Sequence, residues 1–141
     1  MSELEKKAAR IYPDPLLNPE NQIWFEAAAE GRLTYRYCIA CGRAHHPPRS
    51  ICPHCHSDRL KWGVSSGRGA VYSSSMLRRG VSEPYCIAYV TLDEGVTMMT
   101  NLIGFGSETP AVGTRVRVCF VLTEGGIHIP VFERDDASDH A

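Results

Sequence analysis

Residues 38–55 read CIACGRAHHPPRSICPHC, and this stretch decides the fold of the first half of the chain. Cys38 and Cys41 make one C-x-x-C pair and Cys52 and Cys55 a second, with ten residues between Cys41 and Cys52. Two residues between ligands let each pair close a tight knuckle whose thiolates face one ion, and the intervening hairpin folds the pairs into a tetrahedron. Four thiolates fill that shell. The spacing therefore predicts a structural zinc ion held by Cys38, Cys41, Cys52 and Cys55, with no position open to water or substrate. Gly42 suits the left-handed backbone that follows a knuckle, while His56, at the matching place after the second pair, tolerates it less well. A redox C-x-x-C, or one sulfur replaced by His54 or His56, competes with this reading, but two such pairs in one hairpin favour four sulfurs. His45 and His46, beside Pro47 and Pro48, read as surface residues of the hairpin. A module this small buries too little apolar area to fold alone, so zinc binding supplies its folding free energy.

On the amino-terminal side of the ribbon, Pro19 to Glu30 reads as a short helix. Asn18 suits its N-cap, Pro19 its first position and Gly31 the residue past its end. Ile23, Trp24, Ala27 and Ala28 recur at helical spacing as one apolar stripe that must dock on something, because one short amphipathic helix is not stable by itself. Residues 1–17 lack periodicity, contain Pro13 and Pro15, and read as a flexible arm. Leu33 to Tyr37 and Ala44 to Pro48 read as the strands flanking the first knuckle. Beyond the ribbon come short strands punctuated by glycine, over Leu60 to Ser66, Ala70 to Arg78, Tyr85 to Leu92, Val96 to Ile103, Thr114 to Leu122 and Ile127 to Phe132. Val116, Val118, Phe120 and Leu122 alternate onto one face, with Arg115 and Arg117 on the other. Asp93-Glu94-Gly95 and Glu124-Gly125-Gly126 read as hairpin turns. Strands at such spacing predict a mainly β fold closed as a small antiparallel barrel or sandwich. Asp135 to Ala141 reads as a disordered acidic tail.

The chain has 141 residues, 43% hydrophobic and 22% charged, with a net charge of −1, which fits a globular protein and gives no global case for a nucleic-acid partner. The charge is unevenly placed. Residues 31–90 hold nine Lys or Arg against two acids, and residues 91–141 hold three against eight. The basic middle either offsets the thiolate charge or attracts a phosphorylated ligand. No long apolar run and no secretory signal is read, so a cytoplasmic protein without a membrane partner is expected. Six cysteines in that compartment point to metal before disulfides. Cys86 and Cys119, inside predicted strands, read as buried thiols, and no nucleophile elbow, phosphate loop or dinucleotide fingerprint is present.

The order of parts resembles a known family. Its motifs here are Trp24-Phe25-Glu26, Glu30-Gly31-Arg32-Leu33, Pro47-Pro48-Arg49 with Cys52-Pro53-His54-Cys55, Gly67-Arg68-Gly69-Ala70-Val71-Tyr72-Ser73, Leu92-Asp93-Glu94-Gly95 and Thr100-Asn101-Leu102. From about Asn18 to Arg134 the chain is similar to the zinc-ribbon OB-fold proteins associated with acyl-CoA metabolism, formerly a domain of unknown function. Two departures are Trp-Phe where the family commonly has Phe-Trp, and His56 where glycine is frequent. The resemblance implies a helix and rubredoxin-like zinc ribbon over residues 18–61, followed by an OB-fold barrel over 62–134. It also implies a non-catalytic accessory subunit that joins a thiolase-like enzyme, or in some relatives an acyl-CoA hydratase or aldolase, and supplies part of a coenzyme A surface.

Coenzyme A needs cations for its phosphates, a flat face for its adenine and an apolar path for pantetheine. Arg49, Arg68, Arg78 and Arg79, with Tyr72, are the candidates for it. Gly67 and Gly69 read as a tight bend between strands. Two rival functions stand beside this one: a single-stranded nucleic-acid module, since ribbons and OB-folds both serve that purpose, and a purely structural adaptor without ligand.

Overall fold

The computed structural model describes residues 10–81 and 83–136; the rest of the expected arm, residues 1–9, and of the expected acidic tail, residues 137–141, lies outside the described residues. Among the described residues one helix precedes eight strands: α1 (Gln22–Ala29), β1 (Thr34–Cys38), β2 (Ala44–His45), β3 (Leu60–Val64), β4 (Arg68–Leu77), β5 (Tyr85–Leu92), β6 (Thr97–Leu102), β7 (Arg115–Leu122) and β8 (His128–Arg134). The first three strands form an antiparallel sheet in the order β2-β1-β3, and the other five close into a barrel in the order β4-β5-β6-β8-β7. That closed five-stranded arrangement is the OB-fold, so the barrel forms rather than the sandwich. Strand β3 pairs with β1 from Thr34 opposite Val64 to Cys38 opposite Leu60. The ribbon sheet thus reaches Val64, and the barrel strands begin at Arg68.

The helix starts later than Pro19. The Asn18 carboxamide oxygen accepts the N–H groups of Glu20 and Asn21, both at 2.9 Å, which closes a turn ahead of the regular helix. At its other end Arg32 N–H bonds to Ala27 O and Gly31 N–H to Ala28 O, with Gly31 at φ +81°. This paired closure with a left-handed glycine is what stops the helix. Trp24, Ala27 and Ala28 are buried as the apolar stripe requires, but Ile23 is 51% exposed because an eight-residue helix turns only one narrow face inward. Trp24 and Leu33 pack in the same cluster as the barrel residues Val71, Val90, Met98 and Phe132, so helix, ribbon and barrel share one core.

The described part of the arm is not loose. Tyr12 is 4% exposed and packs with Val121 and Val131 on the outside of β7 and β8. Its carbonyl accepts Glu124 N–H at 3.0 Å, and Asp14 accepts both the Thr123 hydroxyl and Gly125 N–H. Proline fixes φ and so lowers the entropy cost of laying an extended segment on a surface. Tyr12 also corrects the alternation expected for β7: Val121 is fully buried beneath it, whereas Leu122 is 40% exposed. Asp135, expected at the start of a disordered tail, is fully buried, and its N–H bonds to Arg115 O at 3.0 Å.

Candidate metal centre

Each knuckle is closed by a backbone bond from the residue after the pair. Gly42 N–H donates to Cys38 O and His56 N–H to Cys52 O, both at 2.9 Å. Gly42 sits at φ +74° and His56 at φ +66°, so the histidine adopts the left-handed conformation that sequence reasoning marked as unfavourable for it. A third polar contact, His54 N–H to Cys52 Sγ at 3.4 Å, turns the second loop onto its sulfur.

These loops bring four sulfurs together. Cys38 Sγ lies 3.6 Å from Cys55 Sγ and Cys41 Sγ 3.7 Å from Cys52 Sγ, and all four fall within 4.8 Å of one another. A zinc ion with Zn–S bonds of about 2.3 Å defines a tetrahedron whose edges are about 3.8 Å. The cage fits that ion. Its electrostatics say the same: against the effect of burial, N–H groups of Cys55 and His54 bring the Cys52 thiol down to about 7. Cys55 receives a lowering bond from Ser57, yet burial and the neighbouring sulfurs push it up to about 12. Four sulfurs this close cannot all ionise without a cation between them. His54 and His56 are exposed and stand outside the convergent set.

The two hairpin histidines are not surface residues. His45 is 5% exposed, and burial lowers its pKa. His46 packs its ring 5.3 Å from that of Trp24, and burial takes it down to about 4. The hairpin folds back over α1, a long-range placement that no local pattern announces. Cys86 is 2% exposed in the barrel core and Cys119 is half-buried near Tyr12.

The coenzyme A candidates are spread out. Arg68 begins β4 and its Nε lies 3.7 Å from Asp135 Oδ2. Tyr72 projects from the middle of β4, 66% exposed. Arg78 follows the end of β4 and donates to Ser107 O at 3.0 Å, with Arg79 next to it and exposed. At the strand rise, Arg68 and Arg78 stand roughly 30 Å apart. Arg49 sits on the ribbon, near Glu20 and beside Arg36, which donates to its carbonyl at 3.3 Å. None of the five lines either of two hollows in the molecule. One, of about 310 Å³, lies between the arm, α1 and β6 and is lined by Arg10, Tyr12, Trp24, His46, Met98 and Met99. The other, of about 640 Å³, lies between α1 and the β7–β8 turn, against Phe25, Ala29, Ile127 and His128. Of the smaller hollow's lining, Arg10 is not singled out by sequence reasoning, its basic character being the one available signal, and His46 reads from sequence as a surface residue.

A closed four-sulfur ribbon in front of a five-stranded OB barrel defines a two-part zinc-ribbon protein. Residues 25–61 match the family described as ChsH2, rubredoxin-like zinc ribbon domain, and residues 62–121 that described as ChsH2, C-terminal OB-fold domain. The two meet within β3. The chain is 34% identical over 134 residues to a probable enoyl-CoA hydratase alpha subunit of Thermomonospora curvata, covering 92% of this chain and 42% of that protein. It is 28% identical over 105 residues to a DUF35 domain-containing scaffold protein of Methanothermobacter thermautotrophicus, covering 70% of this chain and 79% of the relative. Among solved structures it is similar to a chain of the Ltp2-ChsH2(DUF35) aldolase, with a TM-score of 0.74 and 34% identity, covering 86% of this chain and 98% of that one. The chain therefore belongs to the DUF35 family, in its ChsH2-type ribbon-plus-OB form. It spans about two fifths of the length of the hydratase subunit it matches.

Proposed function

We propose that this chain is a non-catalytic accessory subunit of an acyl-CoA enzyme, with Cys38, Cys41, Cys52 and Cys55 holding a structural zinc ion. The observation that carries this reading is the match along 98% of a chain in the Ltp2-ChsH2(DUF35) aldolase, at 34% identity. The acyl-CoA part of the reading is supported by the likeness to the probable enoyl-CoA hydratase alpha subunit named above. The closed sulfur cage also supports it, because a filled shell shapes a module and performs no chemistry. The partner in this reading is a thiolase-like enzyme, or a hydratase or aldolase of the kind its relatives are named for. Arg78 and Arg79, at one end of β4, and Arg49, on the ribbon, are the cations proposed to meet coenzyme A phosphates, with Tyr72 offering a ring face. Arg68, already beside the buried Asp135, is the weakest of the set.

Co-expression with the acyl-CoA enzyme encoded nearest to this chain tests the proposal. A stable complex whose thioester turnover falls when this chain is omitted is expected. Full turnover by the partner alone would refute the accessory role. A complex that forms normally but binds coenzyme A no better than the partner alone would leave the structural adaptor as the correct reading.

A further inference from the structure

The outer surface of the barrel is divided by charge. On one side the charged residues are paired within the chain: Arg115 with Asp93 at 2.9 Å, Arg117 with Glu133 at 3.1 Å, and Arg68 with the buried Asp135 at 3.7 Å. On the other side, β5 (YCIAYVTL) and β6 (TMMTNL) contain no Asp, Glu, Lys or Arg, and β4 has none after Arg68.

The register shows what this second side presents. Ala88, Val90, Met98 and Leu102 point into the core. Their neighbours therefore point outward: Tyr89 lies opposite Met99 on β6 and opposite Ser73 on β4, where a bulge between Val71 and Ser73 places Tyr72 beside it. Tyr72 is 66%, Met99 61% and Tyr89 47% exposed, so an aromatic and thioether band crosses three adjacent strands without a charge. Such a band lacks formal charges, which would be costly to desolvate, and is built from residue types that dominate interface centres. Its two ends differ. At the Leu77–Tyr85 end stand Arg78, Arg79 and Arg10, whose guanidinium lies 3.7 Å from the Tyr85 ring centroid. At the opposite end Asp93 is paired with Arg115, and Glu94 holds Ser65 and Ser66.

We infer that the outer face of β4, β5 and β6, centred on Tyr72, Tyr89 and Met99, is the surface that docks the catalytic partner. The inference rests on the accessory-subunit reading and adds to it the contact face and its chemistry. The complementary patch on the partner is uncharged at its centre and carries carboxylates facing the basic end at Arg10, where Arg78 and Arg79 steer the approach before they meet coenzyme A in the formed complex. Single-stranded nucleic acid would also use exposed rings, but it needs cations along the track of its backbone, and this face has none between its ends.

The test uses the full chain, co-purified with the acyl-CoA enzyme encoded nearest to it. Tyr89→Glu and Met99→Glu are each expected to weaken the complex by about a hundredfold, because each buries an unpaired charge at the centre of the contact. Arg79→Glu is expected to weaken it by about tenfold and mainly through slower association. Val112→Glu, at a 74% exposed loop position, serves as the control and should bind as the parent does. Zinc content and melting temperature are read for every variant, and since all these positions are exposed, neither should change. Parent-like binding by Tyr89→Glu and Met99→Glu would overturn this face while leaving the accessory role intact. Failure of the parent chain itself to form a complex would overturn both. Binding of a fluorescent oligothymidylate at low salt, abolished by Tyr89→Glu, would assign the face to nucleic acid instead. A dimer of the isolated chain in sedimentation equilibrium, lost in Met99→Glu, would assign it to a second copy.

Discussion

The carboxylate of Asp14 accepts the backbone N–H of Gly125 at 2.8 Å, joining residues 111 positions apart in sequence. The same carboxylate takes the hydroxyl of Thr123, so one side chain from the arm organises the turn between β7 and β8. With Tyr12 buried alongside on Val121 and Val131, the arm completes the outer wall of the barrel.

Asp14→Ala should therefore release this segment without unfolding the barrel. Amide exchange at Gly125 and Glu124 is expected to accelerate by about tenfold, read by hydrogen exchange. Bonds from Thr123, then Gly125, hold the Asp14 carboxyl below its ordinary value of 3.8. A depressed folded value means that the stabilisation is fully present above that ordinary value and is lost as pH falls through the lower folded one. The parent and the variant should accordingly converge only in strong acid.

His46 carries a sensitivity of the same sign, felt nearer neutrality and set by burial instead of hydrogen bonds. Burial first, then the charges of His45 and Arg49, take it from 6.5 to about 4. The unfolded chain thus binds the proton more readily, and stability that is complete above pH 6.5 declines as pH falls towards about 4. The shift corresponds to about 3 kcal/mol. His46→Phe keeps a ring against Trp24 and removes the titration. Urea unfolding across this range should show a flatter pH profile for the variant, with the acid loss from thiolate protonation common to both proteins.

Trp24 joins helix to ribbon through packing and one hydrogen bond, its indole N–H to Thr34 O at 3.0 Å. The two parts separate by substitution. Trp24→Phe removes the donor and should cost about 1 kcal/mol. Trp24→Ala also opens a cavity in the shared core and should cost about 3–5 kcal/mol. Denaturant midpoints measure both, and equal losses would mean that the hydrogen bond, not the packing, holds the helix in place.

What was legible in the sequence follows the range of the forces involved. The ribbon could be read because its geometry is set by spacing within two short loops, and Tyr85–Leu92 could be bounded because alternation and turn residues are local. Closure of the barrel, rather than a sandwich, depends on β8 returning between β6 and β7, which no local pattern contains; there the family resemblance supplied the answer. The arm misled for a related reason. Tyr12 and Asp14 look unremarkable until Val121 and Gly125 arrive beneath them. His45 and His46 were read as solvent-facing because polarity was weighed and tertiary placement was invisible. The five coenzyme A candidates rest on residue type and on the basic middle of the chain, neither of which speaks to convergence, so Arg68 opens β4 and Arg78 follows its far end.

The Gly67-Arg68-Gly69 bend was read as a device for turning the chain, and the structure gives each glycine a separate reason. Gly67 has φ +81°, and a Cβ there would lie 2.5 Å from Val118 Cγ1. Gly69 is placed so that a Cβ would lie 2.5 Å from the carbonyl oxygen of Thr91, across the β4–β5 pairing. Side-chain tips can move and backbone oxygens in a ladder cannot. Gly69→Ala is therefore expected to cost about 1–3 kcal/mol by forcing the strands apart. A thermal melt of Gly69→Ala that matched the parent would show that β4 and β5 separate more easily than their register implies.

Removing a single sulfur tests the cage that the rest of the ribbon depends on. Cys52 is fully buried, it is the sulfur that its neighbouring N–H groups bring down to about 7, and its backbone also receives His56 N–H to close the second knuckle. Cys52→Ser leaves three thiolates and a hydroxyl too poor a ligand to replace the fourth. Binding of a structural zinc ion is worth about 10–16 kcal/mol in small zinc modules and is spent on folding. Its loss should therefore unfold the ribbon, which buries too little apolar area to stand without metal. Elemental analysis should find the zinc gone from the variant, and exchange should lose protection over β1 to β3. The barrel, closed by its own five strands around the fully buried Val90, Val116 and Phe132, loses only the Trp24 and Leu33 side of the shared core and should keep its protection. A variant that retained one zinc per chain with an ordered ribbon would show that the cysteines do not act as a four-membered shell.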